Sequence, residues 1–571
     1  MVQTAATPRS AATLFSVLFV VALGLGGHAV TGFQSFPLGD DFTYAPLAEL
    51  AADPNLFPRD EHLRLFANHA TIYEWVYRAA KATIGVERGF LAAVVVLAVA
   101  AVAAVAAVLR ALGCGHGRGF AGALAIAIGL GVVVAERGIG RGAYGGYLSE
   151  MFHHQFLALI MVMAALAATL SRRAVLAGVA LGIAAWAQPA SAAHGALAVT
   201  LGWLALGVRG VVPLAISGAV SAVVALPVVA GLAAALLAAP DVSVPTERLI
   251  EEAYRFRVPL HYDLPWQALG LVTLYLSLGV AAALALTGTP RRMALGLLAG
   301  FVVLHGVMVA VYALGVFEHP VLFKLDITRS TPVVFAFAAA LAGAALAQAG
   351  EHWRAGVAPG RAVLVVAVLA ALTLALNARP VGGLAVGAGL AILASGRLWS
   401  LPAVTLAALS LLLTAAVLPR HQLVTPLDPA EAAALDWIAR ETAEDTLFVI
   451  PVSMPHFRQY ARRSIYVDFK SFSVAQPDQA WMTRTRLEQV AQPDAKALAA
   501  RGWPAMALWE AAQFRALDCP GMRKLMTETG AEYVVHRAKD AAGTPRSLPM
   551  CGGEGPVQAF AKSSLAVYGG D

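Results

Sequence analysis

The sequence predicts a mainly α, polytopic membrane protein: about thirteen transmembrane helices, then a C-terminal extracytoplasmic α/β domain. Hydrophobic residues make up 59% of the 571 and charged residues only 13%, where a soluble chain carries about 25% charged. Up to residue 418 the apolar residues gather into runs near the ~20-residue length that crosses a ~30 Å hydrocarbon core. Beyond 418 the chain turns polar and alternates helical with extended patterns, which reads as a small α/β unit. The predicted boundaries are 1–418 for the membrane domain, with a large outside connection at 32–88, and 419–571 for the periplasmic α/β domain.

The apolar runs fall at 13–31, 89–109, 119–135, 152–170, 174–188, 190–208, 211–239, 266–286, 294–316, 332–349, 361–377, 381–396 and 400–418. The first reads as a retained helix, since only Arg9 precedes it and no small-residue cleavage pattern accompanies it. With the N-terminus inside, the short connections hold Arg110, Arg118, Arg172, Arg173, Arg209, Arg291, Arg292, Arg354 and Arg397. Short basic connections belong on the cytoplasmic side. The long connections, 32–88, 136–151, 240–265 and 317–331, then fall outside. An odd number of crossings places the tail outside as well. The net charge of +6 comes from inside arginines and is not a nucleic-acid footprint.

Within 174–208 the segment Trp186–Gly195, with Gln188, Pro189, Ser191 and His194, interrupts one apolar stretch. A tight outside turn between two short helices fits it, and so does a broken helix lining a cavity; the turn is favoured. In the tail, Ala433, Leu435, Trp437 and Ile438 mark an amphipathic helix over Pro429–Arg440. Strands are expected at Leu447–Pro451, Ser464–Val467 and Tyr533–Val535. The three cysteines have no metal-ligand spacing. Cys519 and Cys551 can form a disulfide outside the cytoplasm, although two free buried thiols fit the spacing equally.

The outside connections carry the chemistry-bearing residues. Asp40 and Asp41 follow the first span directly. Carboxylates are costly in hydrocarbon, so at this boundary they face water, a metal or a reacting group; a solvated loop start is the plain alternative. Ile72, Trp75, Val76 and Ala79 share one side of a helix over Ala70–Lys81, as in an amphipathic helix lying on the bilayer. The second outside connection holds Glu136, Arg137, Arg141 and Glu150 among glycines, and His153 and His154 open the next span. Glycine lets backbone approach a ligand and arginine binds phosphate by a bidentate fork. Adjacent histidines do not share a helix face, so a hydrogen-bonding role for one outweighs a metal site for both. The fourth outside connection holds Lys324, Asp326 and Arg329. Its cations either snorkel to headgroups or grip an anionic lipid phosphate.

Taken together, these motifs resemble bacterial members of the GT-C superfamily of integral-membrane glycosyltransferases. The matching features are Asp40-Asp41 in the first outside connection, a following interfacial helix, about thirteen spans, and the segments Glu136–Gly140, Gln188–His194, Asp326–Ser330 and His456–Arg463. The resemblance implies an inverting transfer of sugar from a polyprenyl-phosphate-linked donor to a glycan, lipid or protein acceptor, at the outer face of the bacterial inner membrane. It implies Asp40 or Asp41 as general base. Glu136, Arg137, Arg141, Glu150, His153, His154, Lys324, Asp326 and Arg329 become substrate-binding candidates. A divalent metal (Mg or Mn) on Asp40 and Asp41 is left open. The Trp-Trp-Asp-Tyr-Gly signature of oligosaccharyltransferases and the Asp-Glu pair of protein mannosyltransferases are both missing, so donor sugar and acceptor do not carry over. A transporter or lipid flippase is the alternative, but it predicts charges inside the spans and internal repeats, and neither is evident. A structural tethering protein would leave Asp40-Asp41 without a purpose.

Overall fold

The computed structural model describes residues 9–31, 36, 41–66, 72–115, 118–132, 154–237, 266–314, 327–358, 360–377, 380–395, 401–424, 426–451, 454, 456–468, 486, 517–537, 551, 557–562 and 565–569. Each of the thirteen apolar runs is mainly helical where it is described, with breaks at Gln188 and the turn 205–207. α1 (Arg9–Thr31) leads into three shorter helices, α2 (Asp41–Ala52), α3 (Glu61–Phe66) and α4 (Ile72–Thr83). The bundle continues with α5 (Val86–Ala111), α6 (Arg118–Ala127) and α7 (His154–Leu170). Next come α8 (Ala174–Ala187), α9 (Pro189–Leu204), α10 (Val208–Leu237), α11 (Trp266–Ala285) and α12 (Gly288–Leu314). α13 (Thr331–Arg354), α14 (Arg361–Asn377), α15 (Pro380–Ser395) and α16 (Leu401–Val417) complete it. Among the described residues, six helices are long and apolar enough to cross a membrane: α1, α5, α10, α12, α13 and α16.

α13 is the axis of the bundle. Its Ala-rich stretch Pro332–Ala345 is buried throughout, and α6, α11 and α14 pack around it. α10 and α16 lie at the periphery, with Val208, Val212, Val223, Leu401 and Leu412 exposed. An apolar surface of that extent is the signature of a lipid-facing flank. Where no hydrophobic drive separates helix from lipid, small residues let backbones approach. Gly26 of α1 is such a place: a Cβ there would lie 2.5 Å from the Ser410 Cβ of α16. Residues late in both helices meet there, and Phe36 and Val424, just beyond them, form a parallel bridge. α1 and α16 therefore run in the same direction and end on the same side.

The segment around Pro189 is a hairpin. α8 ends at Ala187, and extended Gln188 caps α9 by accepting from the Ser191 N–H at 2.6 Å. Pro189 at the first helical position has no N–H to leave unsatisfied. α9 then doubles back: a Cβ on Gly195 would touch Leu181 of α8, and one on Gly202 would touch Thr169 at the end of α7. The favoured turn is what forms. Two sequence boundaries shift. Arg209 lies in the first turn of α10, after a left-handed Gly207, and Arg291 and Arg292 lie in the first turns of α12 rather than in a connection.

The tail is a three-layer α/β unit. Its strands are β1 (Leu447–Val449), β2 (Ser464–Ile465), β3 (Tyr533–Arg537), β4 (Val557–Lys562) and β5 (Leu565–Gly569). They stand in the order β2-β1-β3-β5-β4, parallel among β2, β1 and β3 and antiparallel from β3 through β5 to β4. The period of two sorts their side chains. Phe448, Ile450, Val535 and Val567 meet α17 (Pro429–Glu441) and α18 (Phe457–Ala461) on one face. Leu447, Val449, Val534 and Tyr568 meet α19 (Cys519–Thr529) on the other. Asp428 caps α17 through the Ala430 N–H at 2.9 Å. The hairpin β4–β5 was not foreseen; its alanines and glycine carry a weak strand signal.

Cys519 and Cys551 are disulfide-bonded, with Cα atoms 5.6 Å apart, and Cys114 is a free buried thiol. Alkylating the unfolded, unreduced protein is expected to modify only Cys114, with all three cysteines reacting after reduction. Cys519→Ser should lower tail stability by about 3–4 kcal/mol, the loop-entropy value for a bridge of this span, read as the thermal midpoint of the purified protein.

Candidate functional site

Asp41 is the first residue of α2, where the positive end of the helix dipole favours a carboxylate. It is 2% exposed, which a solvated loop start would not be. Burial of a carboxylate requires donors, and one is Tyr73 of α4, whose hydroxyl donates to Asp41 Oδ1 at 2.7 Å. One turn along α2, Tyr44 lies against the Tyr73 ring (5.3 Å) and meets the His154 ring edge-on at 5.0 Å. His154 opens α7. Its neighbour Gln155 accepts from Arg329 Nη1 at 3.1 Å, and Arg329 stands on a 3-10 turn, Ile327–Ser330, leading into α13. That turn packs against α9 and α12. A run of contacts thus links Asp41 at the start of α2, through Tyr73 and Tyr44, to His154 at the start of α7, beside the Gln155–Arg329 pair.

Asp40, Glu136, Arg137, Arg141, Glu150, His153, Lys324 and Asp326 lie outside the described residues. Among the described residues no group of three or more His, Cys, Asp or Glu is placed to hold a metal ion. His194 is buried on α9. The amphipathic helix forms as α4. Tyr73, Tyr77 and Ala80 are buried, Ile72 and Val76 lie at the edge, and Trp75 and Ala79 point away from the bundle. The buried polar tips of Tyr73 and Tyr77 each meet a carboxylate: Tyr77 donates to Glu49 at 2.5 Å.

The tail is pinned directly over this region. Arg458 of α18 is 2% exposed and Asp60 and Asp468 are fully buried. Its guanidinium donates to Asp60 Oδ2 at 2.7 Å and Oδ1 at 3.1 Å, and to Asp468 Oδ2 at 2.8 Å. The N–H groups of Leu63 (3.0 Å) and Ile465 (3.2 Å) complete the shell of Asp60. Around this centre Arg59 bonds Glu532 and, at 2.6 Å, the Gly530 carbonyl, Arg486 pairs with Glu61, and Arg462 reaches Glu49 at 3.7 Å. The docking brings His456 edge-on to Phe42, the residue after Asp41, at 5.9 Å. The sequence offered Asp60 and Arg458 individually, inside charged segments, but no spacing rule links positions so far apart.

Burial raises the proton affinity of the Asp60 carboxyl, yet the Arg458 charge and hydrogen bonds and the Leu63 N–H hold it below the usual carboxylate range. Burial, with Arg486 and Arg458 adding and Asp60 opposing, pushes His62 down to about 3.

No protein of characterised function matches the chain in sequence. Residues 429–490 match a family described as a domain of unknown function, DUF6798. Among solved structures, the oligosaccharyltransferase of Archaeoglobus fulgidus in its apo form is similar at 14% identity and TM-score 0.42, over 94% of this chain and 70% of that one. The same protein in complex with Zn and sulfate is similar at 13% identity and TM-score 0.42, over 91% and 68%. The arabinofuranosyltransferase AftD from Mycobacteria is similar at 15% identity and TM-score 0.45, over 99% of this chain but only 40% of the larger protein.

Two outcomes test the docking. Arg458→Met strands two buried carboxylates, and breaking such a pair costs about 3–5 kcal/mol. The tail should then become susceptible to limited proteolysis at concentrations that spare the wild type. The pH dependence has a defined sign. Unfolded His62 takes up a proton near its ordinary value while the folded residue resists it down to about 3, so stability is full above about pH 6.5 and falls as pH drops. The depressed Asp60 extends that loss at still lower pH. The thermal midpoint should therefore decline from pH 7 to pH 4, and less steeply in His62→Gln.

Proposed function

We propose that this chain is a membrane glycosyltransferase of the GT-C type. It moves a sugar from a polyprenyl-phosphate-linked donor to an acceptor hydroxyl at the outer face of a bacterial cytoplasmic membrane. The observation that supports the reading is a run of contacts from the buried Asp41 through Tyr73 and Tyr44 to His154, whose chain neighbour Gln155 holds the cation Arg329. That is the pairing a group transfer from a phosphate ester requires: a base on one side and positive charge on the other.

In the proposed step the acceptor hydroxyl attacks the anomeric carbon as its proton passes to Asp41, with Asp40 as the other candidate base. The bond from that carbon to the phosphate oxygen breaks, and the lipid phosphate leaves with the electron pair. Attack from the face opposite the leaving group inverts the anomeric centre. Charge builds on the leaving phosphate, where preorganised cations stabilise it. Arg329 is the described candidate, and Arg137, Arg141 and Lys324 are the others. Glu136, Glu150, His153 and Asp326 complete the proposed substrate-binding set. The acceptor is a glycan, lipid or protein hydroxyl held beneath the tail. Thirteen crossings, with the tail on the periplasmic side, agree with the parallel course of α1 and α16.

Asp41→Asn is expected to cut turnover by about 10²–10⁴-fold, the usual worth of a positioned base, at normal protein level. Arg329→Ala should raise the KM for donor more than it lowers kcat. Full complementation by the doubly substituted Asp40→Asn, Asp41→Asn protein would remove the enzyme reading. For topology, a membrane-impermeant thiol reagent should label single cysteines introduced at 430–440 in intact cells and spare those at 171–173. Equal labelling of both sets would contradict the odd number of crossings.

A further inference from the structure

α4 presents two tyrosine–carboxylate pairs on one face, and their surroundings differ. Tyr77 donates to Glu49, which also binds Lys81 Nζ at 2.5 and 2.7 Å and lies 3.7 Å from Arg462. A carboxylate held by two cations is a poor base, because opposite charge stabilises its ionised form strongly. It serves to join α2, α4 and the tail. Tyr73, one turn earlier, donates to Asp41 Oδ1 at 2.7 Å. Its ring is 1% exposed and packed against Phe90 (5.0 Å), Tyr44 (5.3 Å) and Tyr77 (6.5 Å). So enclosed, the ring has little freedom to swing and its hydroxyl is a fixed point. A neutral phenol differs from an arginine or lysine in what it does to a carboxylate. It orients the group and favours the ionised form moderately, without quenching its ability to accept a proton.

We propose that Tyr73 is a positioning residue for the transfer reaction: its hydroxyl holds Oδ1 of Asp41 and fixes the direction in which the carboxylate meets the acceptor. The inference rests on the reading of Asp41 as general base. It assigns a role to a residue that touches neither donor nor acceptor and acts only through Asp41. The same ring also packs against Tyr44, which meets His154 edge-on.

The test compares Tyr73→Phe, Tyr77→Phe and Asp41→Asn in purified protein. The donor probes are synthetic polyprenyl-phosphoryl pentoses and hexoses, and the kinetics use the member that the wild type turns over. Tyr73→Phe keeps the ring and removes only the hydroxyl. It should lower kcat about 10- to 100-fold, as misplacement of a catalytic group does, with little change in KM for donor. The acid limb of its pH–rate profile should move to higher pH by about one unit, since one hydrogen bond to the ionised form is lost. Tyr77→Phe should leave that limb in place. An unshifted limb in Tyr73→Phe, or an equal shift in Tyr77→Phe, overturns the positioning role while Asp41→Asn remains inactive. An active Asp41→Asn, or no turnover of any probe by the wild type, removes the underlying reading instead. If Tyr73→Phe does not accumulate, Tyr73→3-fluorotyrosine keeps the packing with a stronger donor, and its acid limb should move to lower pH; no movement overturns the proposal.

Discussion

The buried cluster of Asp60, Arg458 and Asp468 joins the two halves of the molecule that the sequence separates most widely. Two carboxylates and one guanidinium without access to water are tolerable only when nearly every donor and acceptor is matched. Here the guanidinium forks onto Asp60, reaches Asp468 with its remaining nitrogen, and backbone N–H groups from α3 and β2 fill the shell of Asp60. A matched buried network has one good geometry and many bad ones. It therefore fixes the tail against the helices after α1 in a single arrangement. The lie of α2 against α18, the contact of His456 with Phe42 and the enclosure of the Asp41 region follow from it.

Such a clamp also explains why α2 and α4 turn tyrosines and carboxylates inward although they sit beside a bilayer-spanning bundle. Once the tail covers them, water no longer serves these groups, and each carboxylate needs a protein donor. Glu49 finds Tyr77, Lys81 and Arg462; Asp41 finds Tyr73. Cations surround the carboxylate at the seam, and a phenol holds the one at the proposed site.

The membrane part of this arrangement was legible in the sequence because hydrocarbon imposes one rule, long apolar runs, that each segment must satisfy alone. Gln188–Pro189 was legible as a turn for the same local reason: a helix N-cap and a proline at the first helical position. The site was legible only in its residue types. Asp41, His154 and Arg329 were chosen for their chemistry and for their place at or beside the ends of spans. Their convergence depends on α7, α9 and α13 packing, which no local pattern encodes. Burial of Asp41 was missed because its cover comes from helices and a domain distant in sequence.

The central claim is that this chain consumes a polyprenyl-phosphate-linked sugar, and the most direct measurement is the lipid profile of a strain lacking it. Accumulation of a polyprenyl-phosphoryl sugar, reversed by the wild-type chain and not by Asp41→Asn, is the predicted result. An unchanged pool of such lipids, together with unchanged envelope glycans, would contradict it.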